Sequence, residues 1–315
     1  MKRRGRTVSN LDILSDLKQE EVSFEEAARQ FFKHCKIKGL SHDTVLFYQK
    51  ELKQLRRTLV DVGANVLIVR SIKTDHIEDF IENQLGLKRA ISTINCRLRA
   101  GRTFMEFCLK KNFIDKNPFD NVSQLKARHE VGATLNKRQL EKLLKAPNIT
   151  EFVGLRDLAI MSTFAYTGIR LKELSSLRTK DISFDGKGEV VIQQAKNRYG
   201  RRIPMTKRLR TILKAYMGER GVLDTDALFV NVENQPINPR TIQERIKYYG
   251  NKTGVSKQVQ VSPHVFRRTF CRLKVESGVN LFVLQRLTGH SDLEMLKRYV
   301  QIYGKDLEMA IEQGF

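Results

Sequence analysis

Four residues between Ser262 and Tyr299 are of types that work together on an anion: His264, Arg267, His290 and Tyr299. A guanidinium grips an anion with a planar fork, an imidazole holds or moves a proton, and a phenol can attack. His264 and Arg267 stand three apart, so a helix would point both the same way. His290 falls at a helix junction and Tyr299 on the last helix of the stretch. Two cations further up the chain fit the same chemistry. Arg170 falls at a helix start, where backbone N–H groups already favour a phosphate. Lys196 stands on the rim of the turn Asn197-Arg198-Tyr199-Gly200. The set reads as a site that holds an anion and attacks it.

The elements needed to place these residues are well punctuated. Ser262 is an N-cap with Pro263 at the first helical position, and Gly278 closes that helix. Asn280 caps a second helix ended by Gly289, and Ser291 or Asp292 starts a third. Upstream, Leu155–Tyr166 is nearly all apolar and therefore a buried helix, ended by Gly168 just ahead of Arg170. Asn136 with Gln139 three later forms a capping box for a helix that buries Leu140, Leu143 and Leu144. Between these the period changes to two. Ile182 with Phe184, Glu189–Gln193 and Arg201–Ile203 read as three short strands, with helices following near Lys207 and at Pro239–Tyr249. Tyr248 and Tyr249 read as packing residues.

The first third is different in kind. From Ser23 a stripe of Phe24, Ala27, Ala28, Phe31, Phe32 and Cys35 marks an amphipathic helix. Ser41 caps a second, with Val45, Tyr48, Leu52, Leu55 and Leu59 inward, and Thr74 a third, with Ile77, Phe80 and Ile81 inward. A fourth carries Ile91, Ile94, Leu98, Gly101, Met105 and Cys108 and stops before Pro118. Its outward face holds Lys88, Arg89, Arg97, Arg99 and Arg102, with no acid between Lys88 and Thr103. Such a run is either a solvated face or a surface for phosphates. The missing acids favour the second, with Arg89, Arg97, Arg99 and Arg102 as DNA-binding candidates. The expected organisation is a flexible leader over 1–22, a helical domain over 23–121, a linker over 122–135, a second domain over 136–304 and a tail helix over 305–315. The fold class is mainly α with a small three-stranded β-sheet.

Composition points to a polyanionic partner. Of 315 residues, 57 are Lys or Arg and 35 Asp or Glu, a formal charge of +22, more than solubility calls for. The excess is shared: 23 basic against 16 acidic residues up to Asn121, and 34 against 19 beyond. A clamp on nucleic acid fits that distribution better than a single basic tail. Cys35, Cys96, Cys108 and Cys271 show neither CxxC pairing nor metal-ligand spacing and read as buried thiols in a reducing compartment. The basic start Met1-Lys-Arg-Arg-Gly is followed by Asp12, Asp16 and Glu20 rather than an apolar run, and no segment is long enough to span a bilayer. The expected location is cytoplasmic.

Taken in order, TGIRLKEL around Arg170, AKNRYGRRIP around Lys196, SPHVFRRTF with His264 and Arg267, LTGH ending at His290 and KRY ending at Tyr299 resemble the boxes of the tyrosine recombinase (phage integrase) family. Each box alone is weak; five in order are specific, and the resemblance covers nearly the whole chain. It implies that the first domain is a core-binding domain and the second a catalytic one. It also implies that Arg170 and Arg267 hold the nonbridging oxygens of a phosphodiester. Tyr299 would attack, with His264 accepting or sharing its proton, while His290 hydrogen-bonds a phosphate oxygen. Lys196 would protonate the leaving 5′ oxygen, chosen over Lys187, Arg198, Arg201 and Arg202 for its place eight residues before Pro204. The plain structural alternative for Arg170 is a helix-start pair with Glu173.

The resulting 3′-phosphotyrosine ester keeps the bond energy, so the chemistry implied requires no cofactor and no metal. The implied partner is double-stranded DNA with specific sites, bound by a homotetramer, possible accessory proteins included. Integration or excision of a mobile element is the favoured role, with Xer-type dimer resolution second. A non-catalytic DNA-binding repressor is the alternative from another class.

Overall fold

The computed structural model describes residues 21–126, 132–193, 200–290 and 296. Two compact units divide at His129/Glu130. Lys196, Tyr299, the leader up to residue 20 and the expected tail helix over 305–315 lie outside the described residues.

Among the described residues, the first unit has four α-helices: α1 (Phe24–Ile37), α2 (His42–Asp61), α3 (Thr74–Gly86) and α4 (Ile91–Lys110). Side-chain caps set the first two starts, the second at the residue read as its cap. Ser23 Oγ accepts from Glu26 N at 3.1 Å and Ser41 Oγ from Thr44 N at 3.2 Å. The third start differs. Thr74 is the first helical residue rather than the cap, and Lys73 N donates to His76 Nδ1 at 3.1 Å. α4 stops before Pro118, as expected: it ends at Lys110 with Lys111 as its cap, and Asn112 then adopts a left-handed φ of 57°. The core buries the expected stripes and adds Phe104, Phe107, Ile114 and Phe119.

Two ends of this unit were read as loose and are packed. Val22 O accepts from Val69 N at 2.8 Å. Asn95 exchanges both side-chain bonds with the Leu125 backbone at 2.9 Å, and Val122 is buried. The described part of the expected linker therefore belongs to the units it was meant to join. On the far side, Leu135 is buried with its N–H on Thr269 Oγ1 at 2.9 Å.

In the second unit, α5 (Lys137–Leu144) starts at the capping box, where Asn136 and Gln139 exchange bonds of 2.8 and 2.9 Å. The buried α6 (Phe152–Thr167) follows, then α7 (Leu171–Ser175). The sheet is β1 (Ile182–Ser183), β2 (Glu189–Ile192) and β3 (Arg201–Pro204), antiparallel in chain order, with Val190 opposite Ile182 and Ile203. One face, Val190, Ile192 and Ile203, joins the core. After it come α8 (Lys207–Arg220), α9 (Pro239–Lys252), α10 (Pro263–Glu276) and α11 (Leu281–Thr288). α6 is the axis, packed against α8 and α10. Of the two tyrosines read as packing, Tyr249 is buried and Tyr248 is exposed. All four cysteines are free thiols, with Cys96 only partly buried.

Gly101 shows how closely the first unit is packed. A Cβ there would stand 2.5 Å from Phe119 Cζ and 2.7 Å from Leu55 Cδ2. Gly101→Ala is therefore expected to destabilise the protein by about 1–3 kcal/mol in urea unfolding. An exposed helix interior would instead gain roughly 1 kcal/mol from the same change, so the sign decides whether the close approach exists.

Candidate active site

Two helix ends and two helix starts bring the site together. α6 ends at Gly168 and α11 at Gly289, both in the left-handed region with φ 62° and 66°. Their carbonyls accept from arginines supplied by the other box. Arg267 Nη1 donates to Gly168 O at 2.7 Å, and Arg170 Nη2 donates to Gly289 O at 2.9 Å. Carbonyls at a helix C-terminus carry partial negative charge and suit a cation.

Glu173 joins the remaining pieces. Its carboxylate accepts from the Arg170 backbone N–H at 2.8 Å and from Arg170 Nη1 at 3.1 Å. It also takes a bidentate pair from Arg201, at 3.0 and 2.8 Å, while Arg201 Nε donates to Leu287 O at 2.9 Å. The helix-start pairing of Arg170 with Glu173 thus exists, and the guanidinium still keeps 28% of its side-chain surface open. Burial acts to raise the Glu173 pKa, but the Arg201 hydrogen bonds, the Arg170 N–H and both guanidinium charges leave it lowered overall.

Arg267 is buried at 6% exposure, and its pKa is lowered to about 10, by burial first and then by Arg170. His290 lies against it, Nε2 to Arg267 Nη2 at 3.0 Å, with Nδ1 2.7 Å from Thr288 Oγ1. Burial, then Arg267, Arg170 and Arg201, push His290 down to about 3, so it is neutral at neutral pH. His264 shares α10 with Arg267, three residues ahead of it. It stands exposed in the first turn of α10 while Arg267 is buried one turn on. Its pKa is lowered by partial desolvation, then by Arg268, Arg267 and Arg170, which leaves a neutral imidazole able to accept a proton.

Of the six residues expected here, the structure brings Arg170, Arg267 and His290 together and sets His264 at their edge. Lys196 and Tyr299 lie outside the described residues. Leu296, three before Tyr299, is helical and fully buried. Sequence reasoning gave no site role to Glu173, Arg201 or Thr288. The spacing of Arg170 and Glu173 was a usable signal; a strand arginine such as Arg201 gives none.

The basic face of α4 is not one face. Arg89 and Arg99 are exposed, but Arg97 turns inward to Gln84, with its Nε 3.6 Å from Glu51 Oε2 on α2. Arg102 donates to Val122 O and, at 3.1 Å, to Phe119 O. The balancing acid lay on another helix, where a scan along α4 could not find it. Beside Arg99 and Arg102, a cavity of about 390 Å³ is also lined by Phe47, Tyr48 and Thr103.

Glu173→Gln keeps the volume and removes the charge, so it is expected to cost about 3 kcal/mol at neutral pH through the uncompensated arginines. A carboxylate lowered on folding stabilises above its unfolded pKa and loses that contribution as pH falls through the folded one. The gap between wild type and variant in denaturant unfolding should therefore be full at pH 7 and close in acid, below the ordinary carboxylate range. In the first unit, Arg97→Ala should cost about 1–3 kcal/mol by leaving Glu51 and Gln84 without their partner. Arg99→Ala should stay within about 0.5 kcal/mol of wild type in the same assay.

Comparison with known proteins follows the same division. Residues 133–305 match the model of the phage integrase family, and residues 28–112 that of the phage integrase N-terminal SAM-like domain. Tyrosine recombinase XerC of Thermodesulfovibrio yellowstonii is 28% identical over 293 residues, covering 90% of this chain and 92% of that protein. Among solved structures, XerH recombinase bound to a palindromic difH substrate aligns with TM-score 0.73 at 19% identity, over 96% of this chain and 87% of that one. Tn1549 transposon integrase with circular-intermediate DNA aligns with TM-score 0.71 at 19% identity, over 93% and 100%. These two structures share the fold.

Proposed function

The chain belongs to the phage integrase family of tyrosine recombinases, and from that premise we propose that it cuts and rejoins double-stranded DNA at specific sites through Tyr299. The observation that carries the proposal is the meeting of Arg170, Arg267 and His290, drawn from three separate boxes, around one buried carboxylate. Arg170 and Arg201 both pair with Glu173, and Arg267 stands beside them without a carboxylate of its own, so the cluster holds cationic charge in excess of what its one carboxylate neutralises. A phosphodiester supplies the missing anion, and attack adds charge where preorganised donors are worth most.

In the proposed reaction Tyr299 Oη bonds to phosphorus as the bond from phosphorus to the 5′ oxygen breaks. The phenol proton passes to His264, which is neutral and exposed. The 5′ oxygen takes a proton from Lys196, and a second 5′-OH reverses the steps to reseal the strand. The exposed Arg89 and Arg99 are proposed DNA contacts of the first unit; Arg97 and Arg102 act there as structural residues. Assembly of four protomers on two duplexes belongs to the same proposal.

For the biological role we favour integration or excision of a mobile element. The stretch from Arg267 to Leu307 resembles recombinases of transposons and integrative elements, and the fold is shared with a transposon integrase. Xer-type dimer resolution is the second reading, favoured by the likeness to XerC along nine-tenths of the chain. Paired repeats in the DNA flanking the gene would support the first and their absence the second.

Tyr299→Phe is expected to bind site DNA within about twofold of wild type and to form no denaturation-resistant adduct, since only the attacking oxygen is lost. An adduct that persists in the variant, seen on a denaturing gel with end-labelled DNA, would remove Tyr299 as nucleophile.

A further inference from the structure

Thr288 is fully buried at the C-terminal end of α11, two residues ahead of His290. Its Oγ1 lies 2.7 Å from Leu284 O, one turn back, and 2.7 Å from His290 Nδ1. A carbonyl only accepts, so the Thr288 hydroxyl donates to Leu284 O, and its oxygen then accepts from Nδ1–H. On the other side of the ring stands Arg267 Nη2, 3.0 Å from Nε2. A guanidinium only donates, so Nε2 carries a lone pair. Two neighbours on opposite sides thus assign the same tautomer, a neutral imidazole with its proton on Nδ1.

That tautomer cannot serve a phosphate. Phosphate oxygens accept, and His290 can donate to one through Nε2 only with a proton there. Adding a second proton to the ring is opposed by its surroundings: Arg267 on α10, Arg170 ahead of α7 and Arg201 on β3 all face it, with Glu173 as the opposing charge. Exchanging the proton between the two nitrogens avoids the added charge.

We propose that Thr288 is a positioning residue that lets His290 change tautomer when a phosphate enters the site. The Arg267 Nη2 donor turns from Nε2 to a phosphate oxygen. The Thr288 hydroxyl rotates from Leu284 O to donate to Nδ1. The ring releases the Nδ1 proton to solvent and takes one at Nε2, with no net change in protonation. A hydroxyl is suited to this because it can donate in one state and accept in the other. The inference rests on the phosphate-binding reading of the site.

Full-length protein labelled with ¹⁵N-histidine, with the His290 signals assigned by their loss in His290→Gln, reads the tautomer directly. The free protein should show a protonated nitrogen at Nδ1 and a lone-pair nitrogen at Nε2. Orthovanadate, used as the phosphate probe, should reverse the pattern. Thr288→Ser should retain the reversal and Thr288→Val should lose it, with single-turnover cleavage of site DNA slowed about tenfold to a hundredfold in the valine variant and DNA affinity within about twofold. Thr288→Ala gives the same readout should the valine variant not fold. A proton on Nε2 in the free protein, no change on saturating vanadate, or a reversal that survives in Thr288→Val would each overturn the proposal. Failure of the recombinase reading shows separately, as a wild-type protein that forms no DNA adduct, because the tautomer is read without DNA.

Discussion

Holding three guanidiniums in one partly buried space around a single carboxylate is the constraint on which the second unit depends. Arg170, Arg201 and Arg267 repel one another, and burial withdraws the water that would screen them. Glu173 answers two of the three directly. The rest of the compensation is backbone. Gly168 O, Leu287 O and Gly289 O each take one guanidinium N–H, and all three lie at the C-terminal ends of α6 and α11, where helical carbonyls have no partner of their own. Helix ends and cations thus solve each other's problem. The arrangement holds donors toward an acceptor that is not yet there, which is the preorganisation anionic chemistry needs.

The same network explains why elements far apart in the chain must arrive together. Arg201 ties β3 to α7 through Glu173 and to the end of α11 through Leu287 O. Arg170 ties the start of α7 to Gly289, and Arg267 ties α10 to the end of α6. Each bond spans two boxes that sequence treats as separate. The apolar core under them, with Phe164 against Phe266, fixes where α6 and α10 run. The polar layer fixes their ends.

Much of this was legible from one sequence, and the limits have physical causes. Caps at Ser41, Asn136, Ser262 and Asn280 are local chemistry, and each lies where its side chain and spacing indicated. Thr74 misled because the helix starts one residue earlier, with the His76 ring turned back to accept from Lys73 N–H. The core of the first unit was read short because Phe104 and Phe107 lie off the strict stripe of α4 yet meet α1. Arg97 was read outward because its acid is on α2, and distance along the chain hides that pairing. In the site, the residue types that touch an anion stood out. Of those that hold them, Glu173 was visible only as a local partner of Arg170, while its pairing with Arg201 spans 28 residues and the part of Thr288 depends on which atom donates, neither of which a spacing shows.

Gly289 carries an implication for how such a chain can vary. Its φ of 66° resists any side chain, and a Cβ there would lie 3.0 Å from the Arg201 guanidinium. Losing Arg201 first would open the space but leave a φ that still resists any side chain, with Glu173 short of its bidentate partner. Changing Gly289 first meets both obstacles at once. Neither order of two single changes is neutral, so the glycine and the arginine form a mutational lock: drift at either position is confined while neighbouring surface positions wander freely.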